Sequence, residues 1–243
     1  MALKKENCLA LYGGIDPREL PSYTLPEAAH HTGVPLPTLR TWTEGRTYKT
    51  ETGNKRIKPV ILRPDPGESL LSFTNLVEAH VLNAIRRHHQ IPMYKVRAAL
   101  DYLEKKFSSR HPLAEEDFQT DGVDLFVERF GALINVSQHG QLAMQKLLEL
   151  YLKRIERDES GFARRLYPFV RKRSMEVTSE EPRIIVIDPF VSFGRPIIRG
   201  TGISTSVIAG RFNAGEGIND LADDYNLSQM QIEEALRFES KAA

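Results

Sequence analysis

The stretch that decides the fold runs from Tyr23 to Trp42, YTLPEAAHHTGVPLPTLRTW. Thr24 stands before a short helical run, Leu25 to Thr32. Pro26 is tolerated in its first turn, and Glu27 lies near the positive end of the helix dipole. Gly33-Val34-Pro35 breaks that run, and Leu36 to Trp42 restarts a helix with Leu39 and Trp42 three residues apart. The spacing predicts helix, tight glycine turn, helix. In such a device the second helix enters a DNA major groove roughly 12 Å wide while the first braces it across the backbone. Thr38, Arg40 and Thr41 fall on the face away from Leu39 and Trp42. Arginine pairs with guanine edges or phosphates, and threonine bonds phosphates or touches a thymine methyl. Trp42 is expected in the core rather than stacked on a base.

Outward from this block, Arg46 to Arg63 is rich in Thr, Lys and Arg, with a turn at Thr52-Gly53-Asn54 and β-formers at Ile57, Val60, Ile61 and Leu62. A strand-turn-strand here places Arg46, Lys49, Lys55, Arg56 and Lys58 on a cationic ribbon, a wing suited to tracking phosphates. Pro64-Asp65-Pro66-Gly67 is a turn, and Ser72 can cap the helix after it. Phe73, Leu76, Val77, Val81, Ala84 and Ile85 form one helical stripe, and Met93, Val96, Leu100, Leu103 and Phe107 a second. Residues 1–22 show no sustained period and are expected to form an N-terminal arm.

The remainder divides into a middle block, residues 111–182, and a C-terminal block, residues 183–243. In the middle, Leu125-Phe126-Val127 and Leu133-Ile134-Val136 read as short strands after a turn at Asp121-Gly122. Ser137 to Arg157 reads as the longest helix, and residues 157–182 as an irregular linker. Arg183 to Asp188 reads as a strand, followed by helices over roughly Ser204–Asn213, Ile218–Asp224 and Ser228–Phe238. The expected class is therefore mainly α with short β segments (α+β): a winged helix-turn-helix over 23–110, a middle β-hairpin plus helix, and a three-helix, helix-turn-helix-like C-terminal domain.

Composition narrows the function. The 243 residues carry a formal net charge of +1, but the charge is uneven. Residues 1–110 hold 17 Lys and Arg against 11 Asp and Glu, a net +6, and residues 111–243 hold 16 against 21, a net −5. A basic first half suits a polyanionic partner, and an acidic second half a different one. No apolar run approaches the roughly 20 residues that span a bilayer, and the N-terminus lacks a signal-peptide h-region. One cysteine, Cys8, fits a reducing cytoplasm. The adjacent pairs His30-His31 and His88-His89 point to different sides of a helix, so no metal or other cofactor is expected. No nucleophile motif appears, and the glycine- and arginine-rich run Asp188 to Ile203 lacks the lysine of a phosphate loop. The chain does not read as an enzyme.

Tyr23-Thr24-Leu25-Pro26-Glu27-Ala28-Ala29, Thr32-Gly33-Val34 and Thr38-Leu39-Arg40-Thr41-Trp42 resemble the N-terminal winged helix-turn-helix of the MerR family, and Leu71 to Ala79 resembles its third helix. The resemblance implies DNA contacts by Tyr23, Thr24, Thr38, Arg40, Thr41, Arg46, Lys49, Lys55, Arg56 and Lys58. The long dimerising helix and cysteine metal ligands of typical MerR activators are absent. Asp188 to Ile203, Ala214 to Ile218 and Asp224 to Leu236 resemble the DUF433 family, with Gly202 where arginine usually stands. Together the two resemble the larger VapB-type antitoxins. That implies a cytoplasmic, dimeric autorepressor that binds its own promoter as double-stranded DNA and neutralises a PIN-like ribonuclease toxin, with Arg195 and Arg199 as partner-binding residues. The alternative is a stand-alone MerR-like transcription regulator whose C-terminal half dimerises or senses a ligand.

Overall fold

A computed structural model describes residues 13–50, 53–88, 93–115, 118–124, 126–128, 138–170 and 181–240. The chain divides into two compact units, one ending at Arg164 and one beginning at Arg165. The class is mixed α+β, as the sequence implies.

In the first unit, α1 (Leu25–Thr32) and α2 (Leu36–Glu44) lead into an antiparallel ribbon, β1 (Arg46–Thr50) and β2 (Gly53–Ile57), then α3 (Phe73–His88) and α4 (Met93–Phe107). Thr24 opens α1 with a capping box: the Glu27 amide donates to the Thr24 hydroxyl oxygen, and the Thr24 amide donates to the Glu27 carboxylate at 2.8 Å. Gly33 closes the helix in the left-handed region (φ 67°). Ser72 caps α3 with Asn75 as reciprocal partner, both bonds at 3.2 Å. Leu39, Trp42, Ile61, Leu71, Phe73, Leu76 and Val77 are buried together with Tyr23. Residues 13–22, expected as an arm, are pinned at their C-terminal end: the Thr74 amide donates to Arg18 O at 3.1 Å, and Arg18 pairs with Asp16 and Asp158.

Within the same unit, α5 (Gln138–Leu152) lies against α3. His80 on α3 stands 3.1 Å from Tyr151 O, with the two rings 4.8 Å apart. Three expectations change here. The strand expected at 125–127 is helical in its described part, residues 126–127, because Val123, Phe126 and Val127 turn inward at helical spacing and Phe126 meets Phe118 edge-on at 6.1 Å. A short buried apolar run reads alike in either state. The helix expected to reach Arg157 ends at Leu152, and the chain continues as β3 (Ile155–Arg157). The expected linker contains β4 (Ala163–Leu166), paired with β3. Leu133-Ile134-Val136 lie outside the described residues.

In the second unit, β5 (Ile185–Val186) pairs antiparallel with β6 (Ile197–Ile198), Ile185 opposite Ile198. Three helices follow: α6 (Thr205–Asn213), α7 (Ile218–Tyr225) and α8 (Gln229–Glu239). Ile185, Ile198, Ile208, Leu221, Ile232 and Phe238 form their shared core. Asn226 in the left-handed region (φ 52°) ends α7, and Ser228 caps α8 with Gln231 as reciprocal partner. Ser204 stands at the N-cap of α6, but its hydroxyl meets Ser206 instead of a helix amide.

A pH response follows from α1. His31 is buried with its ring edge-on to Tyr23, and burial, reinforced by the neighbouring His30, lowers its pKa from 6.5 to about 3. Because the unfolded chain binds the proton more readily, the stability this neutral histidine contributes is complete above pH 6.5 and declines as pH falls toward 3. Urea unfolding at pH 7 and pH 5 should show a loss of about 2 kcal/mol that His31→Asn lacks.

Candidate nucleic-acid interface and a second basic face

Helix α2 has a clean division. Leu39, Trp42 and Thr43 are buried, Arg40 is exposed, and Thr38 and Thr41 are half-buried beside it. The first turn of α2 carries no acidic residue, so nothing there opposes a phosphate at its N-terminal dipole. Thr41 donates its hydroxyl to Pro37 O at 2.9 Å. That leaves its oxygen as an acceptor for a base amino group and its methyl for thymine, and a phosphate bond requires breaking the internal one.

The ribbon register pairs Arg46 with Ile57, Thr47 with Arg56, Tyr48 with Lys55 and Lys49 with Asn54. Directly opposed residues share a face and alternate ones change face. Lys49 and Arg56 therefore sit on one face with Thr47 and Asn54, whereas Arg46 and the Lys55 position belong to the other. The cationic ribbon is two-sided. Arg40, Arg46, Lys49, Arg56 and Lys58 are all exposed, and none has a carboxylate partner among the described residues. Arg97, by contrast, is committed to Asp101 at 2.8 Å and to Pro59 O.

Two predicted contact residues have local work. Tyr23 is only 4% exposed and exchanges backbone hydrogen bonds with Leu71, so its ring is not brought to this face. Thr24 is exposed, but its hydroxyl donates to Glu27 at 2.7 Å within the capping box.

Residues given no site role from the sequence hold the ribbon exit against the helix. Gly45 ends α2 at φ 75°, ψ −172°, and a Cβ there would lie 2.3 Å from Ile57 O. The Val60 and Ile61 amides donate to Trp42 O at 2.7 and 3.0 Å. The buried Asn75 amide group donates to Leu62 O at 2.9 Å and to Glu78 at 3.0 Å. His111 stands 3.0 Å from the other Glu78 oxygen. Burial disfavours its charge, but the Glu78 hydrogen bond and the charges of Glu78 and Glu19 outweigh it and raise its pKa. The one sequence signal for any of these was a glycine between a helix pattern and β-formers.

The second unit carries another basic face. Arg195 is exposed just after a turn in which Ser192, Phe193 and Gly194 all have positive φ (49°, 55°, 74°). Arg199 is exposed, with its guanidinium carbon 5.8 Å from the centre of the Tyr167 ring. Arg183 lies 5.6 Å from the same ring. On the helices the cations are spoken for: Arg211 pairs with Glu216 and Asp224, and Arg237 with Glu233 and Glu234. Among the described residues no trio of His, Cys, Asp and Glu could hold a metal ion, and no helix is long and apolar enough to cross a membrane.

Comparison with known proteins matches these two units to two families. Residues 21–100 match a family described as "Putative DNA-binding HTH domain", and residues 185–238 match DUF433, a family of unknown function. The chain is 31% identical over 237 residues to "Putative antitoxin VapB45" of Mycobacterium tuberculosis, covering 90% of this chain and 93% of that protein. It is 30% identical over 229 residues to the uncharacterized protein Rv2308 of the same organism, covering 90% of each. The crystal structure of Rv2018 from Mycobacterium tuberculosis superposes with a TM-score of 0.62 at 26% identity, covering 89% of this chain and 98% of that one. An N-terminal helix-turn-helix domain joined to a C-terminal DUF433 domain, shared along nearly the whole length, places this chain in the VapB45 antitoxin family.

Proposed function

We propose that this chain is the antitoxin of a type II toxin–antitoxin pair, a non-catalytic cytoplasmic regulator with two binding jobs. Its MerR-like N-terminal unit binds the promoter of its own operon, as a homodimer that represses it. Its C-terminal unit neutralises a PIN-like ribonuclease, with Arg195 and Arg199 on the binding face. The observation that carries this reading is the set of five exposed cations on α2, the ribbon and its exit, all without carboxylate partners among the described residues. Cations left uncommitted within the fold are suited to phosphates. The antitoxin half of the proposal is supported by the likeness to VapB45.

Co-expression with the product of the neighbouring reading frame tests both halves. The expected result is a co-purifying complex, rescue of growth, and a shifted band on upstream DNA. Arg40→Ala should weaken the specific shift about tenfold to a hundredfold and relax discrimination at one base pair, because a bidentate arginine–guanine contact contributes roughly 1–3 kcal/mol. Equal binding to upstream and scrambled duplexes by the wild-type chain would remove the promoter assignment. Failure of the two proteins to associate would remove the antitoxin assignment.

A further inference from the structure

A cavity of about 250 Å³ opens on the second unit, lined by Arg165, Tyr167, Asp188, Arg199, Gly200 and Thr201 among others. Its floor is apolar, since Tyr167, Val186 and Ile197 pack together beneath it with Val191 against them. Asp188 is 1% exposed and fully engaged. One carboxylate oxygen accepts from Arg165 Nε at 2.9 Å, and the other accepts from the Phe190 amide at 2.9 Å. A buried carboxylate held in this way fixes the plane of the Arg165 guanidinium at the cavity wall. The Arg199 and Arg183 guanidiniums both lie near the Tyr167 ring, their central carbons 5.8 and 5.6 Å from its centre. Neither has a carboxylate partner among the described residues, unlike the helical arginines of the same unit.

The adjoining turn adds an apolar anchor. Phe193 is 78% exposed although its backbone is held at φ 55°. A bulky residue at positive φ costs on the order of 1–2 kcal/mol, and such strain gathers at binding sites. The turn is tied to the cavity rim by Ser192, whose hydroxyl donates to Gly202 O at 3.3 Å. Aromatic and arginine side chains side by side are the composition of interface hot spots.

The geometry points to a receiving pocket: the cavity accepts an aspartate or glutamate side chain from an acidic segment of the partner protein, clamped between Arg165 and Arg199, with Phe193 packing on the residue beside it. This rests on the antitoxin reading. Arg195 reaches outward, whereas Arg199 is a wall of a pocket on this chain. The occupant is acidic because Arg183 and Arg199 have no carboxylate partner among the described residues, and Asp188 is already engaged by Arg165.

Titration calorimetry with the full chain and the neighbouring-gene product tests the pocket. Arg199 is exposed and outside the core, so Arg199→Glu should fold with an unchanged melting temperature and bind the partner about a hundredfold more weakly. Arg199→Lys should lose less, since it keeps the charge but not the fork. An Asp→Lys or Glu→Lys substitution in the partner should restore binding to Arg199→Glu and to no wild-type pair. Wild-type binding with Arg199→Glu unimpaired overturns the pocket alone. Inorganic phosphate stabilising the chain through Arg199 without competing with the partner also overturns it, in favour of a small-anion site. No wild-type binding at all overturns the antitoxin reading and the pocket together.

Discussion

Gly45→Ala should destabilise the winged end of the first unit and weaken DNA binding. Gly45 adopts φ 75°, ψ −172°, a region reserved for glycine, at a cost of about 1–3 kcal/mol for any other residue. The added Cβ would also lie 2.3 Å from Ile57 O and 3.2 Å from Pro59 N, and both are backbone atoms that cannot swing aside. The combined cost should be about 3 kcal/mol or more, lowering the melting temperature of this unit by about 10 °C. Affinity should fall even well below that temperature, because the ribbon exit must move away from α2. Gly33→Ala is the control: it shares the positive φ, but its Cβ would meet only Asn83 Nδ2 at an ordinary 4.0 Å, so it should cost about 1–2 kcal/mol and spare the ribbon.

Trp42→Ala should be comparably severe, and its effect separates two roles for the side chain. Trp42 is 1% exposed, and its carbonyl anchors the amides of Val60 and Ile61. Deleting the indole should cost about 3–5 kcal/mol of stability, read by denaturant unfolding. Trp42→Phe should recover a good part of it. A tryptophan that stacked on a base would show the reverse pattern, with stability unchanged and only affinity lost.

The sequence signals that proved reliable are local ones. Thr24, Gly33, Ser72 and Ser228 marked helix ends because capping and left-handed closure depend on a few adjacent residues. α7 and α8 lie within a residue of the expected bounds for the same reason, and α6 does so although Ser204 bonds no helix amide. What escaped was set by distant contacts. Residues 126–128 are helical because Phe126 meets Phe118, and Tyr23 turns inward because its backbone bridges to Leu71. Gly45 is demanded by Ile57, a residue on the far strand of the ribbon. Within the candidate site, the cations were legible by type and position. Their division between two faces of the ribbon needed the register, and the place of Arg199 over Tyr167 needed the packing of the second unit.

On the proposed function, the uncommitted cations of α2 and the ribbon neutralise DNA phosphates. Binding of the full chain to its upstream duplex, measured across a salt series, tests this most directly. Each neutralised phosphate contributes a slope of about −0.9 in log affinity against log salt. Lys49→Ala/Arg56→Ala, which strips one face of the ribbon, should bind more weakly at every salt concentration, with a slope shallower by about 1.8 per protomer. A double variant with the affinity and slope of the wild-type chain would contradict the account.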